Sequence, residues 1–359
     1  MSSTPFAIDL RSDTVTKPTR AMRQAMANAE VGDDVICVDP TVEQLQTRIA
    51  DLLGKEAALF MPSGSMTNQI AIRLHCRPGD EFICETDCHV FNYEQAAYAQ
   101  LSGVAARTVT GVAGVLHVDQ LRGLIRPEND HQVRTRLVCL ENTHNRGAGA
   151  IQPFENVVQI CQWAHENDLR THLDGARLFN AAAATGISEK RWAENFDSVS
   201  VCFSKGLGAP VGSALVGSKE LIKQARRARK LFGGAMRQVG ILAAGALYAL
   251  ENHRDRLNDD HDHARILADT IRATDGLSLD PDRVQTNIVI FRVDPELGTA
   301  SNLVARLGQL GVGALAVGPQ KIRFVTHLDV NRQQIDAACA AIQDAVSLPV
   351  DTKQVAAQY

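Results

Sequence analysis

An apolar, β-rich run, Val199 to Phe203, ends in Ser204-Lys205, and Gly206, Gly208 and Gly212 follow closely. A lysine at the end of a buried strand can stay charged and pair with an acid. It can also lose its proton and attack a carbonyl, and an imine to an aldehyde cofactor is the usual outcome. The apolar flank and the glycines, which admit a close ligand, favour the second use. Thirty-one residues upstream, Asp174-Gly175-Ala176-Arg177 also follows an apolar run. A lysine for the imine, with an acid and an arginine for a pyridine ring, is the set that pyridoxal phosphate (PLP) chemistry needs.

Each of these residues has an ordinary alternative. Asp174 either keeps a pyridine nitrogen protonated or caps a helix after its strand. Arg177 either meets a ring hydroxyl or substrate carboxylate, or pairs with Asp174. Ser63-Gly64-Ser65 lies between the apolar run Ala57–Met61 and a helical pattern. Free N–H groups at a helix start bind phosphate, so Gly64 and Ser65 are candidate phosphate ligands, with the Ser204 hydroxyl beside them. His89 follows the run Glu81–Glu85 and His144 follows Leu137–Glu141. Either imidazole could stack on a ring or act as a base, or be a satisfied histidine of core or surface. Arg323, on the run 322–326, suits a bidentate grip on a carboxylate or a surface ion pair.

Helix-period and strand-period segments alternate along most of the chain. Helical patterns cover 18–30, 41–53 and 155–167, with Gly54 as a stop, and another starts near Ser65 with Met66, Ile70 and Leu74 inward; strand-like runs include 169–173, 198–203 and 213–216. Strands separated by helices imply an α/β architecture with a mostly parallel sheet, in which ligands gather at the carboxyl ends of the strands. Asp174, Lys205 and the pair Asn142 and His144 all directly follow strands, so they are expected on one rim. The expected domains are an N-terminal segment 1–17, a large domain 18–250 with a helical spine reaching about 275, and a smaller α+β unit at 276–348. The polar tail 349–359 is expected to be loose.

The 359 residues are 45% hydrophobic and 22% charged, with a formal net charge of −4. That balance offers no footprint for nucleic acid or an acidic membrane. The run Arg226-Arg227-Ala228-Arg229-Lys230 reads as a solvated or subunit-facing helix surface, with phosphate binding as the alternative. No apolar run is long enough to span a bilayer, and 1–13 lacks the pattern of a secretory leader. Eight scattered cysteines read as reduced core thiols of a cytoplasmic protein. Cys84-x-x-x-Cys88-His89 has no second ligand pair of matching spacing, so no metal is expected.

Taken in order, Ile8–Thr16, Val31-Gly32-Asp33-Asp34, Pro62–Gln69, Glu141–Asn145, His172–Asn180, Ser204–Ser213, Gly233–Gln238 and Arg323–His327 make the chain resemble the low-specificity L-threonine aldolases. These are PLP enzymes of fold type I, the aspartate-aminotransferase superfamily. The resemblance spans about residue 8 to 345. It implies a large PLP-binding domain with a mostly parallel sheet between helices, plus a smaller C-terminal α+β domain. It implies retro-aldol cleavage of L-threonine or L-allo-threonine to glycine and an aldehyde; another fold type I activity, β-elimination or transamination, is the alternative. It further implies that Lys205 carries the imine, Asp174 pairs with the ring nitrogen, and Arg177 serves the ring hydroxyl and substrate carboxylate. Gly64, Ser65 and Ser204 would hold the phosphate, and His89 would stack on the ring. Ser12 and Arg323 would grip the substrate carboxylate, and His89 and His144 would lie near its hydroxyl. Lys230 and Arg237 would reach a neighbouring subunit's phosphate in a homotetramer built from dimers. Where the family often has Tyr-Gly-Glu-Asp-Pro, this chain has Ile36-Cys37-Val38-Asp39-Pro40, which bears on the aldehyde side of the substrate. The loop Arg146–Ala150 also departs from the family.

Overall fold

The computed structural model describes residues 6–349. The chain divides into two compact units, one of residues 18–255 and one of residues 1–17 with 256–359.

The first unit is built on seven strands: β1 (Ala57–Met61), β2 (Asp80–Glu85), β3 (Ala105–Val109), β4 (Arg134–Glu141), β5 (Arg170–Gly175), β6 (Ser198–Cys202) and β7 (Ser213–Gly217). Their order across the sheet is β1-β7-β6-β5-β4-β2-β3. β7 is antiparallel to both its neighbours, and the pairs from β6 through to β3 are parallel. The carboxyl ends of β1, β2, β4, β5 and β6 therefore share one rim. β6 and β7 are buried along their whole length, and the serines of β6 (Ser198 and Ser200) are buried with its valines. β3, at the edge, has a half-exposed pattern and no matching apolar run.

Local chemistry sets the helices that reach the rim. Asp39 caps Pro40–Leu53, accepting from the Val42 N–H at 3.1 Å, and Gly54 ends that helix in the left-handed region. Ser63 caps Gly64–His75 through its hydroxyl, which accepts from the Met66 N–H at 3.2 Å.

The second unit has a four-stranded antiparallel sheet in the order Leu315–Gly318, Lys321–Val325, Ile288–Val293, Leu277–Leu279. Its core packs Leu267, Ile271, Phe291, Phe324, Ile335 and Ile342. Ile8–Asp9 pairs in parallel with Val312–Gly313 and joins this unit. The expected spine over 240–275 is two helices, Gly240–Asn252 and Leu257–Arg272, and the division between units falls between residues 255 and 256. The tail lies outside the described residues from 350 onward.

Candidate active site

Lys205 is half-buried in a tight turn just beyond β6. The Gly208 N–H donates to the Lys205 carbonyl at 2.7 Å, and the Phe203 N–H to the Gly212 carbonyl at 3.0 Å. No salt bridge or hydrogen bond engages its ammonium group among the described residues. Asp174, second from the end of β5, is buried. Its Oδ1 accepts from the Ala176 N–H at 3.1 Å and its Oδ2 from Asn68 Nδ2 at 2.9 Å. Arg177 is buried three residues on. Burial raises the thiol pKa of Cys202; the Lys205 charge opposes this, Asp174 adds to the rise and Arg177 opposes it. Three charges expected at one rim thus act on one buried sulfur.

His89 opens a short turn after β2. Its Nδ1 lies 2.8 Å from Glu94 Oε1, and its side chain is 28% exposed, so one edge of the ring is held and the rest is open. Burial pulls its pKa down, but Glu94 and Asp174 outweigh burial and the opposing Lys205, and the net shift is upward. Glu94 is buried and also accepts from Asn68 Nδ2 at 2.9 Å and Gln69 Nε2 at 2.6 Å. His89, Glu94 and Asp174 place ligand-type atoms within 4.8 Å of one another. Those atoms are already engaged with one another and with Asn68. Cys84 and Cys88 are buried thiols, and all eight cysteines are free.

His144 has no exposed surface. Its Nδ1 accepts from the Gly147 N–H at 3.0 Å, and its Nε2 lies 3.0 Å from Glu85 Oε2. The loop 146–150 folds back tightly: the His144 N–H donates to the Ala150 carbonyl at 2.8 Å and the Gly149 N–H to the His144 carbonyl at 2.9 Å. An alanine Cβ at Gly114 would sit 2.1 Å from the His144 ring, so backbone closes over this imidazole. Burial pushes the Glu85 carboxyl up, but His144 and the N–H groups of Gly111 and Asp87 hold it below the usual carboxylate range. Glu141 accepts from the backbone N–H groups of His89 (2.7 Å) and Asn145 (2.8 Å), tying the two histidine loops together. His144 is thus walled in, and His89 is the histidine open to a ligand.

The first backbone bond inside the helix Gly64–His75 is from the Thr67 N–H to the Ser63 carbonyl. The N–H groups of Gly64 and Ser65 precede it and lie at the positive end of a 12-residue helix. A Cβ on Gly64 would meet Cys202 Sγ at 2.8 Å, so this end is pressed close to the turn that carries Lys205. The site therefore fits PLP: an unengaged amine, a buried acid held in position, an arginine and a small-residue helix start around one sulfur.

The family model for beta-eliminating lyases matches residues 9–294. The chain belongs to this family. It is 43% identical to the probable low-specificity L-threonine aldolase 2 of Arabidopsis thaliana, over 92% of this chain and 94% of that one. It is 42% identical to the low specificity L-threonine aldolase of Escherichia coli K12, over 93% and 97%. Among solved structures, the Leishmania major threonine aldolase superposes with a TM-score of 0.82 at 21% identity, covering 94% of this chain and 99% of that one; at that identity the likeness is one of fold.

The other expected residues of this lyase have contacts of their own. Lys230 is exposed on the helix Lys219–Leu231, and Arg237 is ion-paired with Asp33 at 3.0 Å. Ser12 and Arg323 belong to the second unit. There the Ser12 hydroxyl accepts from Thr14 Oγ1 at 2.8 Å, and Arg323 donates to the Arg11 carbonyl at 3.2 Å. Glu85, Glu94, Glu141 and Asn68 are site residues that the sequence reading missed. Glu85 and Glu141 each end an apolar run, as Asp174 nearly does, and that signal could have found them.

Proposed function

We propose that the enzyme cleaves L-threonine, L-allo-threonine and related β-hydroxy-α-amino acids between Cα and Cβ, giving glycine and an aldehyde, with PLP held at Lys205. The observation that carries this reading is that Lys205 closely follows β6 while Asp174 and Arg177 stand at the end of β5, its parallel neighbour, in a chain of this family. When bound, PLP supplies an electron-poor ring that takes up the electron pair released at Cα.

The chain's own residues do the rest. The Lys205 amine is the nucleophile that holds the cofactor. Asp174, fixed by Asn68 and the Ala176 N–H, presents a carboxylate oxygen to the ring nitrogen and keeps its proton there. Gly64 and Ser65 N–H groups and the Ser204 hydroxyl hold the phosphate. Arg177 serves the ring hydroxyl and substrate carboxylate. His89 would flank the ring near the substrate hydroxyl, and His144 would position Glu85 and the two loops. A base takes the hydroxyl proton, the freed pair makes the aldehyde carbonyl as the Cα–Cβ bond breaks, and Cα keeps that bond's electron pair and takes up a proton to become glycine. Ser12 and Arg323 remain proposed carboxylate contacts, and Arg323→Lys should raise KM more than it lowers kcat. A homotetramer in which Lys230 and Arg237 serve a neighbouring subunit is supported by the exposed Ile36, Val38 and Leu231, which suit an interface. A cytoplasmic location is supported by the eight free cysteines.

The test is to supply L-threonine and L-allo-threonine and assay acetaldehyde and glycine. Lys205→Ala should lose the visible absorbance of the bound cofactor and nearly all turnover; near-normal turnover in that variant overturns the assignment. The family's description favours β-elimination as a second reading, and pyruvate or another oxo acid as the product would establish it instead.

A further inference from the structure

Asn68 uses every hydrogen-bonding group of its amide. Nδ2 donates one hydrogen to Asp174 Oδ2 and the other to Glu94 Oε1, each at 2.9 Å, and Oδ1 lies 3.1 Å from His172 Nε2. An amide oxygen only accepts, so His172 Nε2 carries a hydrogen. His172 has no exposed surface, and burial holds its pKa down to about 3, so the ring is neutral and Nδ1 is bare. Nδ1 lies 2.8 Å from Ser198 Oγ, which must therefore be the donor. With its one hydrogen spent, Ser198 Oγ accepts from His75 Nε2, also at 2.8 Å. Each hydrogen bond from His75 to the two carboxylates then has one permitted direction.

The elements make this chain of bonds unavoidable. His172 and Ser198 are paired across β5 and β6, so their side chains share a face, and Asp174 lies two residues on in the same row. Asn68 and His75 are seven residues apart on the helix Gly64–His75, two turns along one face. The helix thus contacts the strand row at its rim end through Asn68 and at its far end through His75. None of these bonds is needed to close the fold's backbone; they orient one amide between two carboxylates.

We propose that Asn68, locked by His172, is a positioning residue that fixes Asp174 and, through Glu94, His89 in register with each other. The Ala176 N–H holds one Asp174 oxygen and the Asn68 amide the other, so the plane of the carboxylate is set only while that amide cannot rotate. His89 is steered by the same amide, because Glu94 accepts from both. If the amide turned over, its oxygen would face two carboxylates and each would lose one of its donors.

This inference rests on the proposed function. The experiment uses the full chain and three variants, Asn68→Ala, His172→Phe and His172→Gln, with circular dichroism as the check of fold. Glutamine carries an amide N–H that can replace the imidazole donor; phenylalanine cannot. The readouts are the PLP dissociation constant, titrated by the cofactor's visible absorbance, and kcat and KM for L-threonine. Asn68→Ala and His172→Phe should each weaken PLP binding and lower kcat by roughly 10–100-fold, the range for losing a hydrogen bond to a charged group. KM should stay within about twofold, since neither residue is assigned to the amino acid. His172→Gln should recover most of both losses. Folded variants with unchanged kcat and PLP affinity overturn the inference, and so does a His172→Gln variant as impaired as His172→Phe. If His172→Phe does not fold, Asn68→Ala decides the matter alone. A wild-type protein with no chromophore and no acetaldehyde would instead sink the proposed function.

Discussion

The Cβ of an alanine at position 64 would lie 2.8 Å from Cys202 Sγ, closer than such atoms approach. In an open first helical turn, glycine to alanine would gain roughly 0.5–1 kcal/mol by restricting the unfolded chain. Here overpacking, which costs about 1–3 kcal/mol, decides the sign. Gly64→Ala should therefore destabilise the enzyme, and Cys202→Ala beside it should restore roughly 1 kcal/mol beyond additivity in a urea-unfolding cycle. Strictly additive costs would show that the sulfur is not the obstacle. The sequence made Lys205, Asp174 and Arg177 legible because each polar residue closes or closely follows an apolar strand. It hid Asn68 and Glu94. Asn68 is inside a helix, where a polar residue usually faces water, and Glu94 stands in a short stretch without period. Their meeting depends on how the helix lies over β5 and β6, which no local pattern records.

The helix Lys219–Leu231 shows the same limit one level up. Its arginine run reads as a solvated face, yet helical spacing turns Arg229 inward. Arg229 is 1% exposed, donates to Asp34 Oδ2 at 2.6 Å and to the Phe60 carbonyl at 2.8 Å, and Arg226 donates to the Asp34 carbonyl. Burial pulls the Arg229 pKa down, and the Asp34 carboxylate works against it. This pair anchors the 31–37 loop to β1, whose end leads into Ser63 and the helix start proposed to hold the phosphate. Asp34→Ala leaves a buried guanidinium without its counter-ion and should cost about 3–5 kcal/mol. Replacing both partners, Asp34→Leu with Arg229→Met, should cost much less. A urea midpoint for Asp34→Ala close to wild type would mean that water reaches Arg229. Composition alone cannot say which member of a charged run faces inward. Nor could it divide the spine over 240–275. Gly240–Asn252 is apolar nearly all round, and the break at 253–256 has neither glycine nor proline. The strands β1 and β7 were legible for the opposite reason: burial leaves Ala57–Met61 and Ser213–Gly217 short, nearly uncharged apolar runs.

Across the whole molecule, a modest net charge of −4 conceals a set of histidines kept neutral by burial. Burial lowers His75 and His261 to about 4 and His172 to about 3. Two belong to the unit 18–255 and His261 to the other. A base whose folded pKa is depressed gives its full stabilisation above the ordinary imidazole value, about 6.5, and loses it as pH falls toward the folded value. Over that window the unfolded chain takes up protons that the folded chain refuses. Each such histidine steepens the loss by about 1.4 kcal/mol per pH unit. His89 works in the opposite sense: its pKa is raised, so its contribution is present below about 6.5 and fades as pH rises through the folded value. Against burial, His144 is raised in the same way by Glu141 and Glu85; the three neutral histidines outnumber these two, so stability should fall from pH 6 toward pH 4.5. His261→Leu isolates one of them, because every other titrating group is shared with the wild type. Unfolding free energies from urea titrations between pH 4.5 and 7.5 should show the variant's profile flatter by about one proton, roughly 1.4 kcal/mol per pH unit. Parallel profiles would mean that His261 takes its proton in the folded state, and that burial at this position does not exclude the charge.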